Sequence, residues 1–211
     1  MRPLVLLALV SSSGLASEVR DCSEAYNGKQ ATCEVVPCSD KFKSFLGTWT
    51  GPFQIYSQQF SKMISYLNTV TYSEKDCLKN TENGELFIIG RKTDVYAPVL
   101  NEAGEVVQAS VSKPGLMITG KDAKGERFLR TIDSEMGQVN YSPVFTDVAA
   151  DLSIWQYNYP GDETNAPMNI RVIDGRDLSE VTGAHKRFVT ITMQGSFGEA
   201  VGGSGYHTLR K

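Results

Sequence analysis

Histidine is almost missing from this chain of 211 residues: His185 and His207 are the only two. That scarcity argues against histidine-rich metal sites and limits acid–base schemes that rely on imidazole. Cysteine stops early. Cys22, Cys33, Cys38 and Cys77 form no CxxC and have no histidine nearby, so a zinc site has no spacing to rest on. Lys and Arg are scattered, with no long basic block to suggest nucleic acid or an anionic membrane as a partner. Beyond the first residues no apolar run approaches the length that spans a bilayer. The glycine stretch 195–205 lacks the Gly-Lys-Ser/Thr of a phosphate-binding loop, and no helix follows it. Ser204 in Gly202-Gly203-Ser204-Gly205-Tyr206 misses the Gly-x-Ser-x-Gly elbow because the fifth residue is tyrosine. The acidic pairs Asp162-Glu163, Asp174 with Asp177, and Asp147 with Asp151 match no EF-hand, and turn capping by aspartate explains them more simply. We therefore expect neither metal nor cofactor.

What is present begins with an export signal. Arg2 gives a positive start, residues 4–10 are an unbroken apolar stretch, and Gly14 and Ala16 sit at −3 and −1 of a cut before Ser17. Residues 1–16 read as a signal peptide, which implies a secreted or periplasmic protein and makes the cysteines disulfide candidates. Net charge is −3 for the whole chain, and about −4 once Arg2 leaves with the leader. Four cysteines allow three pairings, and sequence does not choose among them. We favour Cys22–Cys33 with Cys38–Cys77, because the second bridge clamps the opening segment (17–44) onto a later loop.

From Phe45 the chain alternates short β-rich runs with turn dipeptides. Strands are expected at 47–56, 85–91, 95–100, 106–111, 116–120, 127–132, 139–145, 152–159, 169–173, 187–194 and 205–209. Between them lie Asn83-Gly84, 101–104, 122–125, Met136-Gly137, Pro160-Gly161 and Asp174-Gly175, which supply the positive φ that hairpins need. The rhythm fits an antiparallel meander rather than βαβ units. Residues 58–67 place Phe60, Met63, Ile64 and Leu67 at helical spacing, yet Tyr66, Val70 and Tyr72 would equally continue a strand; 177–182 has the length of one helical turn. The stretch 195–205 reads as the last hairpin loop. Alternation along the strands mixes apolar, aromatic and hydroxyl groups on shared faces, with Trp155, Tyr157 and Tyr159 forming an aromatic row. Such faces suit a β-barrel interior, with a β-sandwich as the alternative.

One local motif points to a family. Phe45-Leu46-Gly47-Thr48-Trp49-Thr50-Gly51 resembles the Gly-x-Trp opening of lipocalins and related calycins. The family's second motif, a Thr-Asp-Tyr run, has only a partial echo in Thr146-Asp147-Val148. The resemblance implies an all-β fold over 45–211, a meander closing into a lipocalin-like barrel with one or two short helices. Gly47 would then allow the tight opening turn and Trp49 would close the barrel floor. A late basic residue, Arg210 first and Arg187 second, would pack over that tryptophan. The implied activity is non-covalent binding of a small hydrophobic molecule, lined by Trp155, Tyr157 and Tyr159, with Arg130 as a carboxylate partner. The rival reading is a secreted protein-interaction module, an inhibitor or envelope assembly factor, whose aromatic row faces outward to a protein partner. An enzyme working through scattered carboxylates has no motif behind it.

Overall fold

The computed structural model describes residues 18–57, 62–134, 137–147, 152–160, 168–177, 186–195 and 200–210. They form an all-β protein in which strand pairing is antiparallel throughout. Its opening segment holds β1 (Val19–Asp21), a 3-10 turn (Ser23–Tyr26), β2 (Thr32–Pro37) and the short helix α1 (Asp40–Lys43). There follow β3 (Gly47–Ser57), β4 (Lys62–Tyr72), β5 (Asp76–Asn80) and β6 (Leu86–Tyr96). A small separate hairpin, β7 (Val99–Leu100) with β8 (Val106–Gln108), leads into β9 (Val111–Lys121). The remaining strands are β10 (Arg127–Asp133), β11 (Gly137–Asp147), β12 (Leu152–Tyr159), β13 (Met168–Asp177), β14 (Lys186–Gly195) and β15 (Ala200–Arg210).

The strands order as β1-β2-β5-β6-β4-β3-β15-β14-β13-β12-β11-β10-β9, and β9 pairs with β6 as well as with β10. β6 is the junction. Its start pairs with β5 at Leu78↔Phe87, its later half pairs with β4 from Arg91 to Tyr96, and β9 runs along its whole length. This explains the unbroken apolar run Leu86-Phe87-Ile88-Ile89. Phe87 and Ile89 face one core, shared with Ile118, Ile132 and the Cys22–Cys33 region, while Ile88 faces another with Trp49, Val70 and Tyr72. Both faces of this stretch are covered, so its sequence cannot alternate.

Both disulfides have the favoured pairing, Cys22–Cys33 and Cys38–Cys77. The first sits in the core that packs the opening segment onto β6, β9 and β10; the second joins the lead into α1 to β5. Glycines of the expected turns adopt positive φ at Gly84, Gly104, Gly125 and Gly137.

Of the two alternatives open for 58–67, strand holds over the described part: residues 62–72 form β4, paired with β3 over their full length and with β6 from Tyr66 to Thr71, while 58–61 lie outside the described residues. Other expectations need correction. The expected strand 95–100 is split, since β6 runs on to Tyr96, and 106–111 is split between β8 and β9. Asp174-Gly175 is no turn but lies inside β13, paired with β12 and β14. Gly202 to Gly205 are not a hairpin loop: they belong to β15, held by β14 on one side and, at Gly203 and Gly205, by β3 on the other. Two flanking ladders supply the order that glycine's own backbone freedom works against. Among the described residues, helical structure falls in the opening segment; Asp177 ends β13, and 178–182 lie outside the described residues.

Candidate functional site

Register places a set of aromatic residues on one face of the sheet, because alternate residues of paired strands share a side. Phe53, Tyr66 and Tyr96 are direct partners across β3, β4 and β6. Their rings stack, with centroids 5.3 Å apart between Phe53 and Tyr66 and 4.9 Å between Tyr66 and Tyr96. Trp155 and Tyr157 project from β12 toward the same core, where Phe53, Leu129, Ile170 and Val172 are buried and Tyr66, Met117 and Tyr141 pack against them. Trp155 is 1% exposed, so the aromatic row turns inward at that position. Tyr141 and Tyr157 meet at 6.0 Å in a tilted pair. The side chain of Tyr159 lies outside the described residues.

Beside the stacked rings stands a polar cluster. Asn68 Nδ2 donates to Asp94 Oδ1, and Lys92 Nζ lies 3.0 Å from Asp94 Oδ2 and 3.8 Å from Asp133 Oδ2. Lys113 Nζ sits 4.8 Å from the Tyr96 ring centroid, a cation–π contact. Burial, reinforced by the nearby Asp94 carboxylate, pushes the Tyr66 phenol well above its ordinary range. Burial likewise raises Tyr141, against a lowering hydrogen bond with Thr131. Both phenols therefore remain neutral hydroxyls at physiological pH.

The two arginines of β10 part company. Arg130, the expected carboxylate partner, points to the opposite face and is buried under the opening segment. Its Nε donates to Asn140 Oδ1 at 2.9 Å, Nη1 to the Ala25 carbonyl at 3.0 Å and Nη2 to Glu85 Oε1 at 3.1 Å. Tyr26 adds its hydroxyl to Glu85 Oε2 at 2.6 Å, and its ring lies under the Arg130 guanidinium at 4.8 Å. Arg130 thus has a carboxylate partner within the chain. Arg127 is the arginine on the aromatic face: its guanidinium lies over the Trp155 ring, 5.8 Å from the centroid, and Nη1 donates to Ser153 Oγ at 2.7 Å.

At the other end, Trp49 is buried among Phe42, Phe45, Val70, Tyr72 and Ile88, and its Nε1 donates to the Phe45 carbonyl at 2.8 Å. Gly47 has φ +114°, a conformation that favours glycine, which gives the turn into β3 its glycine requirement. Arg210 pairs by backbone with Thr48; its side chain, and that of Arg187, lie outside the described residues. Ser204 is a mid-strand residue paired with Gln54 and Thr190, not the apex of a nucleophile elbow. His185 lies outside the described residues. Among the described residues no three His, Cys, Asp or Glu side chains gather as metal ligands would.

Three buried side-chain atoms have no hydrogen-bond partner among the described residues: Tyr72 Oη, Thr119 Oγ1 and Trp155 Nε1. The chain matches no protein-family model, no curated protein and no solved structure. Geometry alone therefore carries the functional reading. Tyr66, Tyr96, Tyr141 and the Asn68–Asp94–Lys92 group were not among the residues chosen from sequence. Alternation of Tyr66, Asn68, Val70 and Tyr72 was their signal, but it tells nothing until β4 is known to be a strand.

Proposed function

We propose that this protein is a non-catalytic, lipocalin-like binding protein in which the sheet closes into a barrel and holds a small, largely apolar molecule. The observation that carries the reading is the double pairing of β9. Hydrogen-bonded neighbours can be followed β6-β4-β3-β15-β14-β13-β12-β11-β10-β9 and back to β6. Eight strands already enclose an interior that side chains can only just fill, so a circuit of ten favours an internal space. The glycines of β15 fit the same reading, since glycine inside a strand marks tight bends and close approaches. Trp49, buried beside Phe45 and Val70, is in keeping with the floor tryptophan of the Gly-x-Trp opening.

The ligand would be held by burial of apolar surface, at about 25 cal/mol per Å², against the Phe53, Tyr66, Tyr141, Trp155 and Tyr157 side chains, with a few polar groups fixing its orientation. Inward-turned Trp155 favours this over an interaction module that presents the aromatic row to a protein. Two buried disulfides suit an oxidising compartment, which supports export. No described helix is long and apolar enough to cross a membrane.

The test is a fluorescence titration of the purified mature protein with a panel of apolar probes, fatty acids and retinoids included. Saturable quenching of Trp155 emission is expected, with Trp49→Phe used to isolate that signal. A flat response across the whole panel rejects the binding reading.

A further inference from the structure

We propose that the aromatic face selects a ligand with a neutral carbonyl oxygen, which accepts a hydrogen bond from Trp155 Nε1; this rests on the binding function proposed above. An indole N–H is a donor only, and that of Trp155 is buried with no partner among the described residues. Burying a donor in that state is costly, and native proteins rarely leave one unmet. The buried side chains packed with Trp155 cannot answer it, since Phe53, Leu129, Ile170 and Val172 carry no acceptor.

Two more groups point to the same chemistry. Thr119 is the cross-strand partner of Leu129, and its buried hydroxyl is equally unpartnered. The Tyr72 ring lies so close over Gly90 that an added Cβ there would come within 2.6 Å of Tyr72 Cζ, the carbon bearing the unpartnered hydroxyl. Gly90 is the register partner of Met117, which packs against both the Trp49 and the Trp155 clusters. All three orphan groups can donate, and none is charged.

The cations on this face are already engaged, which favours a neutral acceptor over an anion. Arg127 lies over the indole ring and donates to Ser153, Lys92 lies between Asp94 and Asp133, and Lys113 sits over the Tyr96 ring. A carboxylate would have to compete with Asp94 and Asp133 for Lys92. A hydrocarbon leaves the Trp155 donor unmet, whereas a ketone, aldehyde or ester oxygen meets it without burying a charge.

Three probes of equal length test this: methyl nonyl ketone, undecane and undecanoic acid. Each competes at neutral pH against a fluorescent apolar reporter bound to the full mature chain. The ketone should compete at about one-tenth the concentration that the alkane or the ionised acid requires. Trp155→Phe keeps the bulk and removes the donor; it should weaken the ketone about tenfold while leaving the alkane within about twofold. Thr119→Val should weaken the ketone by a smaller factor, about threefold. Equal binding of ketone and alkane to the unmodified protein overturns the inference, as does parallel weakening of every probe in Trp155→Phe. Should that variant fail to fold, the ranking in the unmodified protein and the Thr119→Val result still decide. Failure of every apolar probe to bind is a different result, and rejects the cavity itself.

Discussion

Arg127 and Arg130 lie three residues apart on β10, and strand periodicity sends them to opposite faces, where they meet different chemistry. Arg130 is 7% exposed and spends its donors on Glu85, Asn140 and the Ala25 carbonyl, so it fastens the opening segment to the sheet. Removing one member of such a pair leaves the other charge buried and alone. Arg130→Met should therefore cost about 3–5 kcal/mol of unfolding free energy, read from urea denaturation. Adding Glu85→Gln should recover part of the loss, because the stranded carboxylate becomes a neutral amide that still accepts from Tyr26. A single-variant loss below about 1 kcal/mol would mean that the pair does not anchor the segment. Alternation along 127–132 was legible in the sequence, and the opposition of Arg127 to Arg130 with it. Which of those faces the opening segment covers was not, because that depends on contacts 45 and 105 residues away, to Glu85 and Ala25.

Among elements, the same limit separates what periodicity decides from what pairing decides. Turn chemistry located the breaks at Gly84, Gly104, Gly125 and Gly137, where positive φ is a local demand. Residues 62–72 carried both helical and strand signals, and partners on both sides settled the matter in favour of strand. Only 205–209 of β15 was expected as strand; its first part, 200–204, was hidden for the converse reason, because glycines with poor strand propensity are ordered by their neighbours. The disulfides extend this to covalent links. Cys38–Cys77 closes 39 residues and Cys22–Cys33 closes 11. In the chain-entropy model their removal costs about 4 and about 3 kcal/mol respectively. Paired Cys→Ala variants, compared by denaturant unfolding, should show the larger loss for Cys38–Cys77. The reverse order would indicate that packing of the Cys22 region, not loop closure, dominates.

At the scale of the whole molecule, the proposed barrel makes a claim about edges that a sandwich does not. Residues 115–121 of β9 pair with β10 on one side and with β6 on the other. Backbone N–H groups of a strand alternate between its two sides, so an edge strand leaves every second one facing water. If the circuit is closed, no such half-exposed set exists in β9 or in β6 beyond Arg91. Native-state hydrogen exchange should then show protection at successive amides of 115–121 and of 91–96, with no odd–even pattern. An open sandwich must end somewhere among these ten strands, and its two terminal strands would each show alternate amides exchanging orders of magnitude faster than their neighbours. Finding that alternation in β9 or β6 would open the barrel at the seam. The internal space argued from ten strands would go with it, while the paired disulfides and the Arg130 anchor would stand unchanged.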